Sequence, residues 1–253
     1  MARRPVRGGA ELMCADTLAT EIDGGGNVHV WCARLDLSPE AGEGLHALLS
    51  PDERVRAAAY PSAVQGTRFA STRGILRQLL EQVTGVPGRA IQFAYNRDGK
   101  PSLAGDLAAL GVEFNVSHTR DLAVVAVTRG REVGIDIAST GGVAPIDNLV
   151  ARFFSPEERV AVAKVAADGE GQRELFTRIW VRKEAYLKGR GEGISQWVHL
   201  TDFSHATDHS ATDCSATSTP SRPDRDQDAW DVRDLRGLPT GYVGSVALAR
   251  RIE

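Results

Sequence analysis

Trp180, Glu184 and Lys188 are spaced i, i+4, i+8 in the run WVRKEAYLKGRGEGI, and a helix would set them on one stripe with Lys183 and Leu187 beside it. The run thus carries a carboxylate, two cations and an aromatic close together on one helix. The same spacing also suits a surface Glu–Lys pair, worth about 0.2–0.5 kcal/mol, with Trp180 in the core. That simpler account leaves the ending GRGEGI unexplained, because Gly189, Gly191 and Gly193 pack poorly but admit close backbone approach. VGIDIA offers a second carboxylate. On a strand, Val133, Ile135 and Ile137 face one way and Gly134, Asp136 and Ala138 the other. Asp136 then emerges between two small neighbours, with room for a metal or ligand; an exposed strand acid is the alternative. FNVSHT puts Ser117 and His118 at a strand end, and NRDGKP puts Arg97 and Lys100 in a turn made by Asp98 and Gly99.

These residues need elements to position them. VHVWCARLDL, VEFNVSHT, LAVVAVT, VGIDIA and GYVGSVALAR read as strands from Val28, Val112, Leu122, Val133 and Gly241, with SHTRD as a short turn between the second and third. A helix starts after Ser50-Pro51, and TRFASTRGILRQLLEQV carries helical periodicity from Thr67. FFSPEERVAVAKVAADG has a capping box, Ser155 with Glu158, and ELFTRIWVRKEAYLKGRG reads as a long helix from Glu174 stopped by glycine. The order of strand, helices and β-hairpin roughly recurs around residue 132. The expected organisation is a flexible arm over 1–26, an α+β subdomain over 27–131 and a second over 132–253, with the Ser/Thr/Asp/Pro-rich run 205–228 as a loose surface loop.

Bulk properties exclude several classes. A net charge of -3 argues against a general nucleic-acid binder. Cys14, Cys32 and Cys214 are sparse, odd in number and without metal-type spacing, which fits a reducing cytoplasm. No apolar run reaches the roughly 18–20 residues that span a bilayer. The first residues are basic but lack an apolar segment, so they are not read as a secretion signal.

Together the motifs resemble the 4′-phosphopantetheinyl transferases of the monomeric Sfp type. The resemblance is carried by Ser50-Pro51 through Arg56, Gly99-Lys100-Pro101, Asn115-Val116-Ser117-His118, Gly134-Ile135-Asp136-Ile137, Phe153-Phe154-Ser155, and Trp180-x-x-Lys183-Glu184-Ala185-x-x-Lys188 followed by Gly193. It runs from about Val28 to Leu200. It implies two pseudo-symmetric α+β subdomains with coenzyme A in the cleft between them. It also implies transfer of the phosphopantetheine arm of coenzyme A to a serine of an apo acyl or peptidyl carrier protein, with release of 3′,5′-ADP. Carriers of fatty-acid, polyketide or non-ribosomal peptide synthesis are the implied partners, and a cytoplasmic monomer the implied form.

By the family pattern, Asp136 and Glu184 hold Mg²⁺, with Mn²⁺ able to stand in, against the pyrophosphate. Lys183 and Lys188 neutralise phosphate oxygens. Ser117 and His118 contact the phosphates, with Asn115 shaping their turn. Arg56 lies near the 3′-phosphate or nucleotide, and Arg97 to Pro101 frame the adenine, with Lys100 on a phosphate. Glu184 accepts the proton of the incoming serine, directly or through water, so that Glu184, Lys188 and His118 form the expected catalytic set. The glycines after the helix would let the chain pass close to coenzyme A or the carrier. One departure stands out: many members have a second acid where this chain has Ala138, although some of animal type also lack it. A non-catalytic coenzyme A- or carrier-binding relative is therefore the competing reading, against which the intact Asp136, Glu184, Lys188 and His118 argue.

Overall fold

The computed structural model describes residues 19–24, 28–141, 146–165, 170–193, 199, 201–204 and 229–250. The chain is α+β. Its first part runs β1 (Ala19–Ile22), β2 (His29–Arg34), α1 (Pro39–Ala47), α2 (Pro51–Ala58), α3 (Ala63–Thr84), β3 (Phe93–Tyr95), β4 (Pro101–Leu103), β5 (Val112–Thr119) and β6 (Leu122–Arg129). Its second runs β7 (Val133–Ser139), α4 (Asp147–Phe153), α5 (Pro156–Lys164), α6 (Glu170–Arg190), β8 (Trp230–Asp234) and β9 (Tyr242–Ala249). Strands before residue 132 form the sheet β1-β2-β6-β5 and the hairpin β3-β4; those after it form the sheet β7-β9-β8. Every pairing is antiparallel.

The apolar pattern dictates how these layers stack. On the larger sheet, Trp31, Ala33, Phe114, Val125 and Val127 pack against Ile75, Leu76, Leu79 and Leu80 of α3. The opposite face, with Val30, Val124 and Ala126, packs against Val133, Ile135, Val246 and Leu248 of the smaller sheet. β6 is therefore buried on both sides, which is why LAVVAVT is continuously apolar rather than alternating. The outer face of the smaller sheet takes α6: Ala247, Val232 and Trp230 cluster with Ala185, Tyr186 and Ile179. Gly134 makes this approach feasible, since a Cβ there would lie 2.0 Å from the Ala185 carbonyl oxygen. Gly189 lies under the Trp230 ring in the same way.

Two helices begin with the same device. Ser50-Pro51 and Ser155-Pro156 each open a helix, and the acids at the third helical position, Glu53 and Glu158, accept from the serine backbone N–H at 3.1 and 2.7 Å. Each glutamate then turns inward onto a cation of the long helix behind it. Glu53 meets Arg73 and Arg77 of α3, each at 2.7 Å, and Glu158 meets Lys183 of α6 at 2.9 Å.

Several elements differ from the sequence reading. Ala19–Ile22, placed in the flexible arm, is a strand on β2, in register from Ala19↔Ala33 to Ile22↔Val30. ATEI is too short and polar to show a period, and the unpaired outer edge of β2 supplies the reason it is extended. Residues 1–18 of the arm and the run 205–228 lie outside the described residues. The helix read from Thr67 starts at Ala63, where exposed residues carry no apolar signal, and the one read from Glu174 starts at Glu170. The short α1, β3, β4 and β8 had no strong pattern to announce them.

Candidate active site

The site forms where β5, the edge of one sheet, meets β7, the edge of the other. No backbone ladder joins them; side chains do. Asn115 accepts the Ile135 N–H on its Oδ1 at 3.0 Å, and two residues on, Ser117 Oγ donates to Asp136 Oδ1 at 2.7 Å. Strand pleating puts both on the face turned to β7. Asn115 is thus a buried tie between the halves and does not shape the turn, as the family pattern suggested. Gly134 and Asp136 share the face of β7 turned to α6, as the alternation of VGIDIA required.

From α6, Lys188 reaches the same point. Its Nζ lies 2.6 Å from Asp136 Oδ1 and donates to Ser117 Oγ at 2.9 Å. Glu184, one turn earlier, makes no hydrogen bond or salt bridge with the described residues. Partial burial first, and then the Asp136 carboxylate, push its carboxyl above the usual range, with Lys188 opposing. Serine, aspartate and lysine, from three elements and both halves, therefore converge beside a carboxylate with no hydrogen-bond or salt-bridge partner among the described residues.

His118 points the other way. It is opposite Ala123, which is opposite Ala33 in β2, on the α3 side of the sheet. Although the residue is exposed, partial desolvation, then Lys188 and Arg68, hold its imidazole below its ordinary pKa, which favours the neutral ring. Arg68, on α3, was not anticipated: it also pairs with Asp36 at 3.1 Å, and a single cation in a helix has no sequence signature. Ser117 and His118, adjacent in the chain, therefore serve opposite faces of β5.

Other expected site residues sit elsewhere. Lys183 does not reach the site: it is 2% exposed, paired with Glu158 at 2.9 Å and donating to the Thr201 carbonyl at 2.6 Å. Phe154 and Phe203 lie within cation–π range of its ammonium. One residue of helical rotation separates the buried Lys183 from Glu184. Lys100 donates to the Gly189 carbonyl at 2.5 Å and so caps the end of α6; burial lowers its pKa, against the pull of Glu132 and Glu113. Asn96, at the same hairpin, donates to the Gly191 carbonyl at 2.7 Å. Gly189, in the last turn of α6, thus packs against β7 and Trp230, and Gly191, just after it, against this hairpin. Gly191 also has φ +69, the left-handed conformation that ends the helix. Arg97 is exposed at the tip of the hairpin, Gly99 has φ +87 there, and Pro101 opens β4. Arg56 is exposed on α2, its guanidinium 5.2 Å from the centre of the Phe69 ring.

The donor set suits a hard divalent cation. Asp136 and Glu184 repel each other in its absence, Asp136 is already steadied by an ammonium, and oxygen donors are what such an ion prefers. Among the described residues, no group of three or more His, Cys, Asp or Glu side chains could hold a metal. Any ion here would draw its remaining ligands from water or substrate. Among the same residues no helix is long and apolar enough to cross a membrane.

Comparison with known proteins supplies the family. Residues 38–130 match the model described as 4′-phosphopantetheinyl transferase, N-terminal, and residues 132–246 that of the 4′-phosphopantetheinyl transferase superfamily. The 4′-phosphopantetheinyl transferase HetI of Nostoc sp. is 37% identical over 169 residues, which cover 67% of this chain and 70% of HetI. The 4′-phosphopantetheinyl transferase psf-1 of Bacillus pumilus is 31% identical over 154 residues, 60% of this chain and 62% of its own. The human L-aminoadipate-semialdehyde dehydrogenase-phosphopantetheinyl transferase is 29% identical over 174 residues, 65% of this chain and 56% of its own. The chain thus spans less than two thirds of the last two. With both parts of the chain matched in order, and HetI alike over more than two thirds of its length, the chain belongs to the 4′-phosphopantetheinyl transferase superfamily.

Proposed function

We propose that this transferase moves the 4′-phosphopantetheine group of coenzyme A onto a serine of an apo acyl or peptidyl carrier protein and releases 3′,5′-ADP. The observation that carries the reading is the convergence of Ser117, Asp136 and Lys188 beside Glu184, which is unpaired among the described residues. Phosphoryl transfer is mainly a matter of positioning and charge neutralisation, and this is what such a group provides. Asp136 and Glu184 would hold Mg²⁺. When bound, the ion would neutralise pyrophosphate charge that the side chains alone leave uncompensated.

The residues divide the remaining work. Lys188, 30% exposed at its side chain, is placed to contact a phosphate oxygen. Ser117 donates to an acceptor at the same point. His118 and Arg68, on the other side of β5, suit a separate phosphate of the nucleotide end, and the exposed Arg56 and Arg97 are free to meet the nucleotide as the family pattern implies. The carrier serine Oγ attacks the phosphorus that bears the pantetheine arm. The P–O bond to 3′,5′-ADP breaks, and the serine proton passes to Glu184, directly or through one water. Of the two carboxylates, Glu184 is the one whose side chain carries no hydrogen bond among the described residues, which leaves it open to the incoming serine. The protein acts in this reading as a cytoplasmic monomer.

The test is mass spectrometry of apo-carriers incubated with enzyme, coenzyme A and Mg²⁺. A gain of one phosphopantetheine on the carrier serine, dependent on both additions, is expected. Coenzyme A binding without any such gain on carriers of all three classes would make the chain a non-catalytic relative.

Ala138 gives a sharper check. It follows Asp136 by two residues on one strand and shares its face. Ala138→Glu should lower the Mg²⁺ concentration for half-maximal activity by replacing a water with a charged ligand. The maximal rate need not rise, because tighter ground-state metal binding is not transition-state stabilisation. A Mg²⁺ titration at saturating coenzyme A reads the effect. An unchanged requirement in a folded variant would place residue 138 away from the ion.

A further inference from the structure

Asp136 Oδ1 carries two donors, Ser117 Oγ at 2.7 Å and Lys188 Nζ at 2.6 Å. The aspartate that a metal needs is thus already matched with a cation. Glu184, one helical turn before Lys188, has no such partner among the described residues. We propose that Lys188 is an internal counter-ion that a divalent cation displaces from Asp136. Filling the two carboxylates and freeing the lysine for a phosphate oxygen of coenzyme A are then a single exchange. The inference rests on the proposed function.

Charge counting shows why the exchange must be shared. With Lys188 in place, one positive charge faces two carboxylates. Adding a divalent ion without moving the lysine sets three positive charges against two negative ones. The ammonium must therefore leave Oδ1, and its four-carbon stem gives it the freedom to do so. Once displaced it lacks a counter-charge until an anion arrives. Metal alone and coenzyme A alone each meet an incomplete site, whereas each completes it for the other. Coupling of this kind is reciprocal.

Binding of Mn²⁺ to the full chain, followed by the electron paramagnetic resonance signal of the free ion, tests the exchange without any turnover. Wild type, Lys188→Met and Lys188→Arg are compared with and without coenzyme A, circular dichroism confirming the fold. Without coenzyme A, Lys188→Met should bind Mn²⁺ more tightly than wild type, on the order of tenfold, the scale of a typical coupling. Lys188→Arg, which keeps a cation against Oδ1, should stay near wild type. Coenzyme A should tighten Mn²⁺ binding more in wild type than in Lys188→Met. The gain in Lys188→Met should survive about 1 M salt, which would screen away a through-space repulsion between exposed charges. Equal or weaker Mn²⁺ binding by Lys188→Met, or a gain that vanishes in salt, overturns the exchange. Failure of the metal site itself looks different: Asp136→Asn would then bind Mn²⁺ as well as wild type, or no protein would bind it even with coenzyme A, and the inference would fall with it.

Discussion

Glu184→Gln should lower transfer to a carrier on the order of 10²–10⁴-fold, the range that a positioned general base contributes, while leaving the folded protein as stable as before. The two halves of that expectation come from one observation. Glu184 makes no hydrogen bond or salt bridge with the described residues, so an isosteric amide breaks nothing that holds the fold. Partial burial and the Asp136 carboxylate disfavour its charge, so glutamine relieves a repulsion. A residue that weakens its own site is retained for what it does to a ligand. Single-turnover kinetics with excess enzyme, paired with a thermal melt, give both readings. Transfer within a few-fold of wild type would make Glu184 an ordinary helix carboxylate and move the base elsewhere.

Lys183→Met should have the reverse profile, a loss of about 3–5 kcal/mol in stability, as when one partner of a buried ion pair is removed. Glu158, with no exposed surface, would lose the cation it is paired with and must either stay charged unpaired or take up a proton. Burial pushes the Glu158 carboxyl up and the Lys183 ammonium down, so desolvation opposes the attraction between them, and a buried pair of this kind adds little net stability. The cost arises from leaving one charge alone. Glu158→Gln combined with Lys183→Met should therefore be more stable than Lys183→Met by itself, although glutamine can serve only one of the Ser155 and Phe203 N–H groups that Glu158 now accepts. Urea denaturation of the two variants and wild type tests this. A single variant within about 1 kcal/mol of wild type, far below that range, would show that water reaches Glu158.

These two lysine-motif residues show where the sequence was legible. The i, i+4, i+8 stripe of Trp180, Glu184 and Lys188, and the alternation that turned Asp136 toward it, were periodic features, and the structure brings Glu184, Lys188 and Asp136 together. Lys183 lies one position off that stripe. Its side chain is captured by Glu158, 25 residues earlier in the chain and invisible to any local pattern. Lys100 and Asn115 have partners, Gly189 and Ile135, that lie in the other half of the chain and that no local pattern announces. The glycines showed that a close approach was needed but not what approached, which proved to be β7, Trp230 and Asn96. Strands with strong alternation or continuous burial were readable. ATEI and the hairpin β3-β4 exist because neighbouring edges and a helix end receive them.

Ser117 and His118 illustrate how little freedom the chain has in its length. Their opposite facing is a property of the count of residues along β5, fixed by its pairing with β6 from Val112↔Arg129 to Thr119↔Leu122. Inserting or deleting one residue within that strand would exchange the two sides. The hydroxyl would be carried to α3, the imidazole would be pressed against Asp136, and Asn115 would lose Ile135. Insertions and deletions among descendants of this chain should therefore collect in connections such as the Arg97–Gly99 tip, and Val112–Thr119 should be inherited at constant length even where its residues change.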